Sequence, residues 1–517
     1  MYKLGIDVGG TNTDAVLIDD ELRVVASVKT HTTENIYDGI EQAIRDVLAQ
    51  TDIDRAEIRQ AMLGTTQCTN AIVERKNLAP IGILRIGAPA SLGVPLMVDW
   101  DEDIRCIARK TAVIRGGFEY DGKELAPFDA EAAAAFFEEL KKEGIRSVAI
   151  SCVFSVVRND HELEAARICR EIMGEEVHIS ISSEIGSMGL IERENATILN
   201  AALYQVAHSF TEGFVKSLAE EGITNAEIYL SQNDGTLMTM EYARRYPILT
   251  IASGPTNSIR GAGYLSSQKN AIVVDVGGTT TDLGVIQNGF PRESGVAVTI
   301  GGVRTNFRMP DVVSIGLGGG SIVREREDGS VTVGPDSVGY RITEKALCFG
   351  GDVCTATDIA VRLGMTDLGD KRNVMGIGEE FAKKALDAIR ALCEDALDAM
   401  KVSSEDVDVI LVGGGAIVLP ENLAGAKTVT RHEYGGVANA IGSAISKVSG
   451  TYEQLIDYNE VPREEALEKA KTEAAELAVK AGAIRDTVEI IDVEDVPLQY
   501  YPGNTCRVKV KAAGDLA

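Results

Sequence analysis

The chain has 517 residues, 45% of them hydrophobic and 25% charged, enough apolar material for about three folded domains. Its formal net charge of −27 excludes nucleic acid and anionic membrane surfaces as partners, because their phosphates would be repelled rather than neutralised. Eight cysteines without a C-x-x-C pair, and five histidines never at ligand spacing, predict reduced thiols in a cytoplasmic protein and no zinc site built from nearby residues.

The sequence predicts no cleavable signal segment, since Met1 leads straight into an apolar strand, and no run of about 18 apolar residues predicts a membrane span. Lys3 to Ile18, KLGIDVGGTNTDAVLI, is a strand that ends in Asp7, a turn over Gly9 and Gly10, and a returning strand. Arg23 to Thr30 can add a third strand, and Ile36, Ile40, Ile44 and Leu48 fall on one face of a helix. In AMLGTTQCTNAIVER, Ala61 to Arg75, Gly64, Thr65 and Thr66 precede a helix start. Free N–H groups and hydroxyls there suit either an anion or polar substrate group, or an ordinary helix cap.

Residues 115 to 128 read as a loop. Asp129 then caps a helix, Ala130 to Glu143, which ends at Gly144 and feeds the strand Ser147 to Phe154. His161 and Glu162 open another helix and offer either acid–base chemistry or a capped start. Ile191 to Glu220 reads as a helical bridge, Glu227 to Leu230 as a strand, and Ile251 to Pro255 as a break.

Ala271 to Ile286, AIVVDVGGTTTDLGVI, repeats the first hairpin. Asp275, Gly277, Gly278, Thr279, Thr281 and Asp282 stand in the order of Asp7, Gly9, Gly10, Thr11, Thr13 and Asp14. Two glycines let a backbone approach an anion, hydroxyls add donors, and a carboxylate at the strand end can hold a hydrated divalent cation. The combination suits a nucleotide's terminal phosphates with magnesium, held between two related halves.

The glycines at 316 and 318–320 do not form a dinucleotide fingerprint, because Ser321 stands where the third glycine would be. Glu379 to Met400 predicts a long helix. Val407 to Leu419 is a buried strand ending in Gly413, Gly414 and Gly415, where a flat adenine or ribose could lie against backbone. From Gly450 the composition changes. Pro462 to Ala481 predicts a helix, and Thr487 to Val493 and Arg507 to Lys511 predict edge strands.

The two Asp-x-Gly-Gly-Thr hairpins and the later Gly-Gly-Gly-Ala turn resemble the sugar kinase, heat-shock ATPase and actin superfamily. More narrowly, GIDVGGTNTD, GTTQCTNAIVER, NDHE, SSEI, SQNDGTL, SGP, VVDVGGTTTD, GGGSI and GGVANAIGSA resemble, in that order, the ATP-dependent hydantoinase/5-oxoprolinase family, hydantoinase-A type. The resemblance covers residues 1 to 450. It implies an α/β fold with two ribonuclease H-like lobes and a small C-terminal α+β appendage. The lobes would span 1–190 and 271–450, with a bridge at 191–270 and the appendage at 451–517.

The resemblance further implies ATP and Mg2+, and a reaction that phosphorylates the carbonyl oxygen of a cyclic amide or imide so that the ring can be opened. Asp7 and Asp275 would position magnesium or polarise the attacking oxygen. Gly9, Gly10, Thr11, Asn12 and Thr13, with Gly277, Gly278, Thr279, Thr280 and Thr281, would cradle phosphates. Gly413, Gly414 and Gly415 would take the adenosine, and Thr65, Thr66, Asn70, Ser253 and Asp311 would face the substrate. The implied assembly is an oligomer that includes a second hydantoinase-type subunit. Alternative roles within the superfamily are a small-molecule kinase and an ATP-driven reactivase of a partner protein. The chain departs from the family at Val313, where a histidine is usual, and in Arg341 to Gly351, where the usual Pro-Gly-Pro and Cys-Tyr-Gly segments are missing.

Overall fold

The computed structural model describes residues 1–10, 12–32, 36–294, 297–307, 309–498 and 503–516. Among these, the strands build two large sheets that follow one plan. In the first lobe Tyr2–Val8 pairs antiparallel with Asn12–Asp19, which pairs antiparallel with Val24–His31, while Ile58–Thr65 lies parallel on the other side of Tyr2–Val8. In the second lobe Ala271–Val276, Thr281–Gln287 and Val312–Ile315 repeat that order, with Val407–Val412 as the parallel neighbour.

Strand periodicity explains why these runs are apolar on both faces. Ala15 and Leu17 point to the helix Ile36–Leu48, whose Ile40, Ala43, Ile44 and Val47 are buried, whereas Val16 and Ile18 pack on Ala440, Ile441 and Ala444 of the helix Ala438–Ile445. The second lobe does the same. Ile272 and Val274 face the helix Glu379–Met400, and Ala271 and Val273 face the helix Ser253–Ser266.

The helices Ser253–Ser266 and Ala438–Ile445 cross between the two sheets at backbone contact. A β carbon on Gly261 would stand 1.8 Å from the Ala438 carbonyl oxygen, and one on Gly442 would stand 1.8 Å from that of Asn257.

A parallel sheet of Ala108–Arg115, Ile81–Ala88, Ser147–Cys152 and His178–Ile181 is inserted after the first lobe's fourth strand. The helical stretch from Ile191 to Glu220 is in two pieces. It breaks at Leu203 into Leu190–Ala202 and Tyr204–Glu220, and the first piece is almost wholly buried because its charges are paired, Arg85 gripping Glu194 at 2.5 and 2.7 Å. Glu227–Ser231 then returns to the first sheet beside Ile58–Thr65.

The C-terminal segment is α+β. The helix Arg463–Lys480 lays Ala466, Ala470, Ala474 and Ala478, one residue per turn, against the strands Val448–Asp457 and Thr505–Gly514. Its strands extend the first lobe's sheet through the pairing of Leu237 with Val448. No helix among the described residues is long and apolar enough to cross a membrane.

Candidate functional site

The repeated hairpins bring their tips to opposite sides of a cleft of about 660 Å³. Each tip is the same turn: the Gly9 N–H donates to the Asn12 carbonyl at 3.0 Å, and the Gly277 N–H donates to that of Thr280 at 2.8 Å. Each strand end sets two carboxylates opposite one another, Asp7 with Asp14 and Asp275 with Asp282. The third strand separates the copies: Asp14 lies opposite Lys29 and pairs with its ammonium at 2.7 Å, whereas Asp282 lies opposite Ser314 and accepts its hydroxyl hydrogen.

Burial decides the electrostatics. Asp7 is 3% exposed; its two oxygens accept from the Asn257 amide at 3.0 Å and the Asn439 amide at 2.9 Å. Loss of water pushes its carboxyl up to about 6, with the charges of Asp14 and Asp275 adding to the rise and the two amides opposing it. Asp282 is pushed up to about 6, also mainly by burial. Asp14 and Asp275 are raised by burial too, opposed by Lys29 at the first and by the Ser258 hydroxyl at the second.

Four such carboxylates would be relieved by a cation, and the buried Asp14 Oδ1 has no hydrogen-bond partner. A hydrated divalent ion fits this donor set. Of the two predicted metal-holding residues, Asp275 lines the cleft, while Asp7 stands behind the wall with Asp14 presented in front.

Gly9, Gly10, Asn12, Gly277, Gly278, Thr279 and Thr280 line the cleft, and Thr11 lies outside the described residues. Thr13 and Thr281 correct the expectation. Both are fully buried behind their tips, the Thr281 hydroxyl donating to the Leu317 carbonyl at 2.7 Å and the Thr13 hydroxyl meeting that of Thr32 at 3.3 Å. Threonine side chains alternate across a strand, so only those on the turn itself reach the cleft.

Gly413, Gly414 and Gly415 form the cleft's other edge. Gly413 has φ +86°, and a β carbon there would stand 2.3 Å from Asp275 Oδ1, so the turn requires glycine. The 318–320 glycines have a supporting task. The N–H groups of Gly319 and Gly320 donate to the carbonyls of Gly277 and Gly278 at 3.0 and 2.8 Å, bracing the second tip from behind.

Thr65, Thr66, Asn70 and Ser253 are brought together against the back of the first tip. The Thr66 hydroxyl donates to the Val8 carbonyl at 3.4 Å, Asn70 donates to Thr66 Oγ1 at 3.4 Å, and the Ser253 hydroxyl donates to the Thr65 carbonyl at 3.4 Å. Asp311 does not join them, because its carboxylate pairs with the Arg292 guanidinium at 2.6 and 2.8 Å at the edge of the second sheet.

His161 and Glu162 do not act as a pair. Glu162 accepts from the Ser182 hydroxyl and the Ser183 N–H, whereas His161 Nδ1 accepts the Gly117 N–H at 3.1 Å. The ring proton is therefore on Nε2, which faces Glu124 at 3.5 Å, so the Glu124, Asp160 and His161 grouping has no imidazole lone pair for a metal.

Lys29, Asp14, Ser258 and Asn439 also line the cleft, and the sequence reading does not place them there. Lys29 had a signal: the first two strands fix the register of the third. Asn439 had none beyond its motif and Ser258 had none, since both reach the cleft only through the helix crossing.

The profile described as the hydantoinase/oxoprolinase N-terminal region matches residues 3–173, and that described as hydantoinase/oxoprolinase matches residues 193–367. The chain is 28% identical to the caprolactamase alpha subunit of Pseudomonas jessenii over 77% of this chain and 59% of that one. It is 26% identical to 5-oxoprolinase of Saccharomyces cerevisiae over 70% of this chain and 31% of that one. It thus spans about three fifths or less of the length of these curated relatives. The solved structure of the ATP-dependent caprolactamase from Pseudomonas jessenii shares the fold, with a TM-score of 0.80 at 20% identity, covering 100% of this chain and 88% of that one.

Proposed function

The chain belongs to the hydantoinase/oxoprolinase family, and from that premise we propose that it uses ATP to open a cyclic amide or imide of the hydantoin, oxoproline or lactam class. The observation that carries this reading is the pair of like hairpins facing each other across a cleft, each with a pair of carboxylates beside a glycine turn, buried in the first and partly buried in the second. Relatives named caprolactamase and 5-oxoprolinase support a ring amide as the substrate, and the ATP-dependent caprolactamase supports ATP as the co-substrate.

An amide carbonyl is a poor electrophile but has a nucleophilic oxygen. In this reading that oxygen bonds to the terminal phosphorus of ATP while the bond from phosphorus to ADP breaks. Water then adds at the ring carbon, the ring C–N bond breaks to leave an acyl phosphate and a free amine, and a second water releases phosphate. Gly10, Thr279 and Thr280 cradle the phosphates, Gly413 to Gly415 take the adenosine, and Thr65, Thr66, Asn70 and Ser253 hold the ring. Asp275 and Asp14 would hold magnesium, with Asp7 adding charge behind them; the bound ion would neutralise phosphate charge.

We further infer a cytoplasmic protein that works with a second subunit in an oligomer, organised as 1–190, 191–270, 271–450 and 451–517. Relatives named as subunits support the partner.

The test is calorimetric binding of ATP with magnesium to wild type and to Asp275→Ala, then release of phosphate and of the ring-opened product over a panel of hydantoin, oxoproline and caprolactam, read as a primary amine for the last two and as an N-carbamoyl amino acid for hydantoin. We expect binding to the wild type, loss of most affinity in the variant, and ring opening of at least one substrate when the second subunit is supplied. ATP consumption without ring opening across the panel would sink the substrate class, and no ATP binding would sink the whole reading.

A further inference from the structure

We propose that Lys29 binds the terminal phosphate of the nucleotide, so that the phosphoryl group to be transferred lies against the first hairpin rather than the second. The inference rests on the ATP reading above and deepens it by telling the two duplicated tips apart.

The geometry of the tips matches strand by strand until the third strand. Asp7 faces Asp14 as Asp275 faces Asp282, and the turn hydrogen bonds agree within 0.2 Å, at 3.0 and 2.8 Å. Then one copy carries a cation, Lys29, and the other a neutral hydroxyl, Ser314. Among the described residues lining the cleft, Lys29 is the one lysine and arginine is absent. The surrounding carboxylates repel an anion, and the most highly charged phosphate therefore goes where the ammonium is.

Lys29 is also built to stay there. Its ammonium sits 2.7 Å from Asp14, which is 1% exposed, while its own side chain is 33% exposed and faces the cleft. Its Cε is 3.8 Å from where a β carbon on Gly414 would stand, so the side chain reaches from the first lobe to the glycine turn of the second. An ammonium with three donors can keep Asp14 and give its other hydrogens to phosphoryl oxygens. No proton leaves it. The ammonium stays charged as the bond from phosphorus to ADP breaks and the bond to the amide oxygen forms, which is where its fixed charge counts.

The experiment is calorimetry with MgATP and with MgADP on the full-length wild type, Lys29→Met and Lys29→Arg, together with ATP turnover. Lys29→Met is expected to bind MgADP within about threefold of wild type, to bind MgATP about tenfold or more weaker, and to lose roughly 100-fold in turnover. Lys29→Arg is expected to recover part of the MgATP affinity. If wild type binds both nucleotides and Lys29→Met keeps the same preference between them, Lys29 does not meet the terminal phosphate and the proposal falls while the ATP reading stands. If wild type binds neither, both fall together. Should Lys29→Met fail to fold, Lys29→Gln decides: an unchanged ratio of MgATP to MgADP affinity in that uncharged variant overturns the assignment.

Discussion

Lys511, on the last strand of the chain, places its ammonium 2.9 Å from the carboxylate of Asp234, and both side chains are almost wholly buried. The same ammonium lies 3.1 Å from Glu293, which also takes Lys509 at 2.8 Å. Asp234 belongs to the loop after the first lobe's Glu227–Ser231 strand, and Glu293 follows the second lobe's edge strand Phe290–Pro291. The C-terminal strand therefore fastens both lobes. Removing one partner of a buried ion pair leaves the others short of charge, so Lys511→Met should destabilise the protein by about 3 kcal/mol. A urea titration that shows no shift in the first unfolding transition would refute this.

Gly413 and Gly414 should respond oppositely to one added methyl. At Gly413 alanine would be strained by φ +86° and pushed onto Asp275, costing about 2 kcal/mol or more and abolishing ATP turnover. At Gly414 the nearest neighbour is Lys29 Cε at 3.8 Å, an ordinary contact, so Gly414→Ala should melt like wild type and alter only nucleotide affinity. Differential scanning calorimetry with a parallel ATP titration separates the two.

The buried carboxylates make the nucleotide-free protein sensitive to pH with a definite sign. Asp7 binds its proton more tightly in the folded protein than in the unfolded chain, with a folded value of about 6 against 3.8. Its contribution is thus fully present below pH 3.8 and is lost as pH rises through 6. For a fully buried group each pH unit in that window is worth about 1.4 kcal/mol, so Asp7 alone accounts for about 3 kcal/mol. Asp14, Asp275 and Asp282 act in the same direction. Melting temperatures of the protein should fall as pH rises from 3.8 to about 6, and millimolar magnesium should flatten the fall. A magnesium-independent slope would count against a cation at these tips.

At the helix crossing the usual rule for glycine reverses. Replacing glycine by alanine inside a helix ordinarily stabilises by about 1 kcal/mol. Gly261→Ala and Gly442→Ala should instead each destabilise by about 1–3 kcal/mol, since each methyl would meet a backbone oxygen at 1.8 Å. The double variant should be less than additive, because either substitution alone already forces the helices apart. Gly254, in the first turn of the same helix and directly before Pro255, is the contrast: beyond its chain neighbours nothing stands within 4 Å of its Cβ position, so alanine there should leave the helix crossing intact and cost less than either substitution. Thermal melts of the four variants check the whole set.

The duplicated hairpins were legible in the sequence because the turn chemistry is local. Two glycines, a carboxylate at the strand end and a returning apolar run define a hairpin wherever they occur, and their repetition pointed to two facing lobes before any contact was known. The glycine triplet at 413–415 was legible for the same reason. Local sequence could not say which threonines face the cleft. Thr13 and Thr281 are one residue past the turn, and the strand pleat turns them inward. Nor could it separate Asp311 from the substrate group, since its partner Arg292 lies on the neighbouring chain segment across the sheet edge.

Residues adjacent in the chain were enough to define the family, the two-lobed plan and the turns that form the tips. Tertiary packing was needed to settle which carboxylate of each pair meets the cleft, that Asn257 and Asn439 hold Asp7 from helices 250 and 432 residues away, and that Lys29 stands where its counterpart is Ser314. These depend on sheet register and helix crossing, and both follow from which apolar faces must be buried together, a condition on the whole molecule that no single stretch of sequence contains.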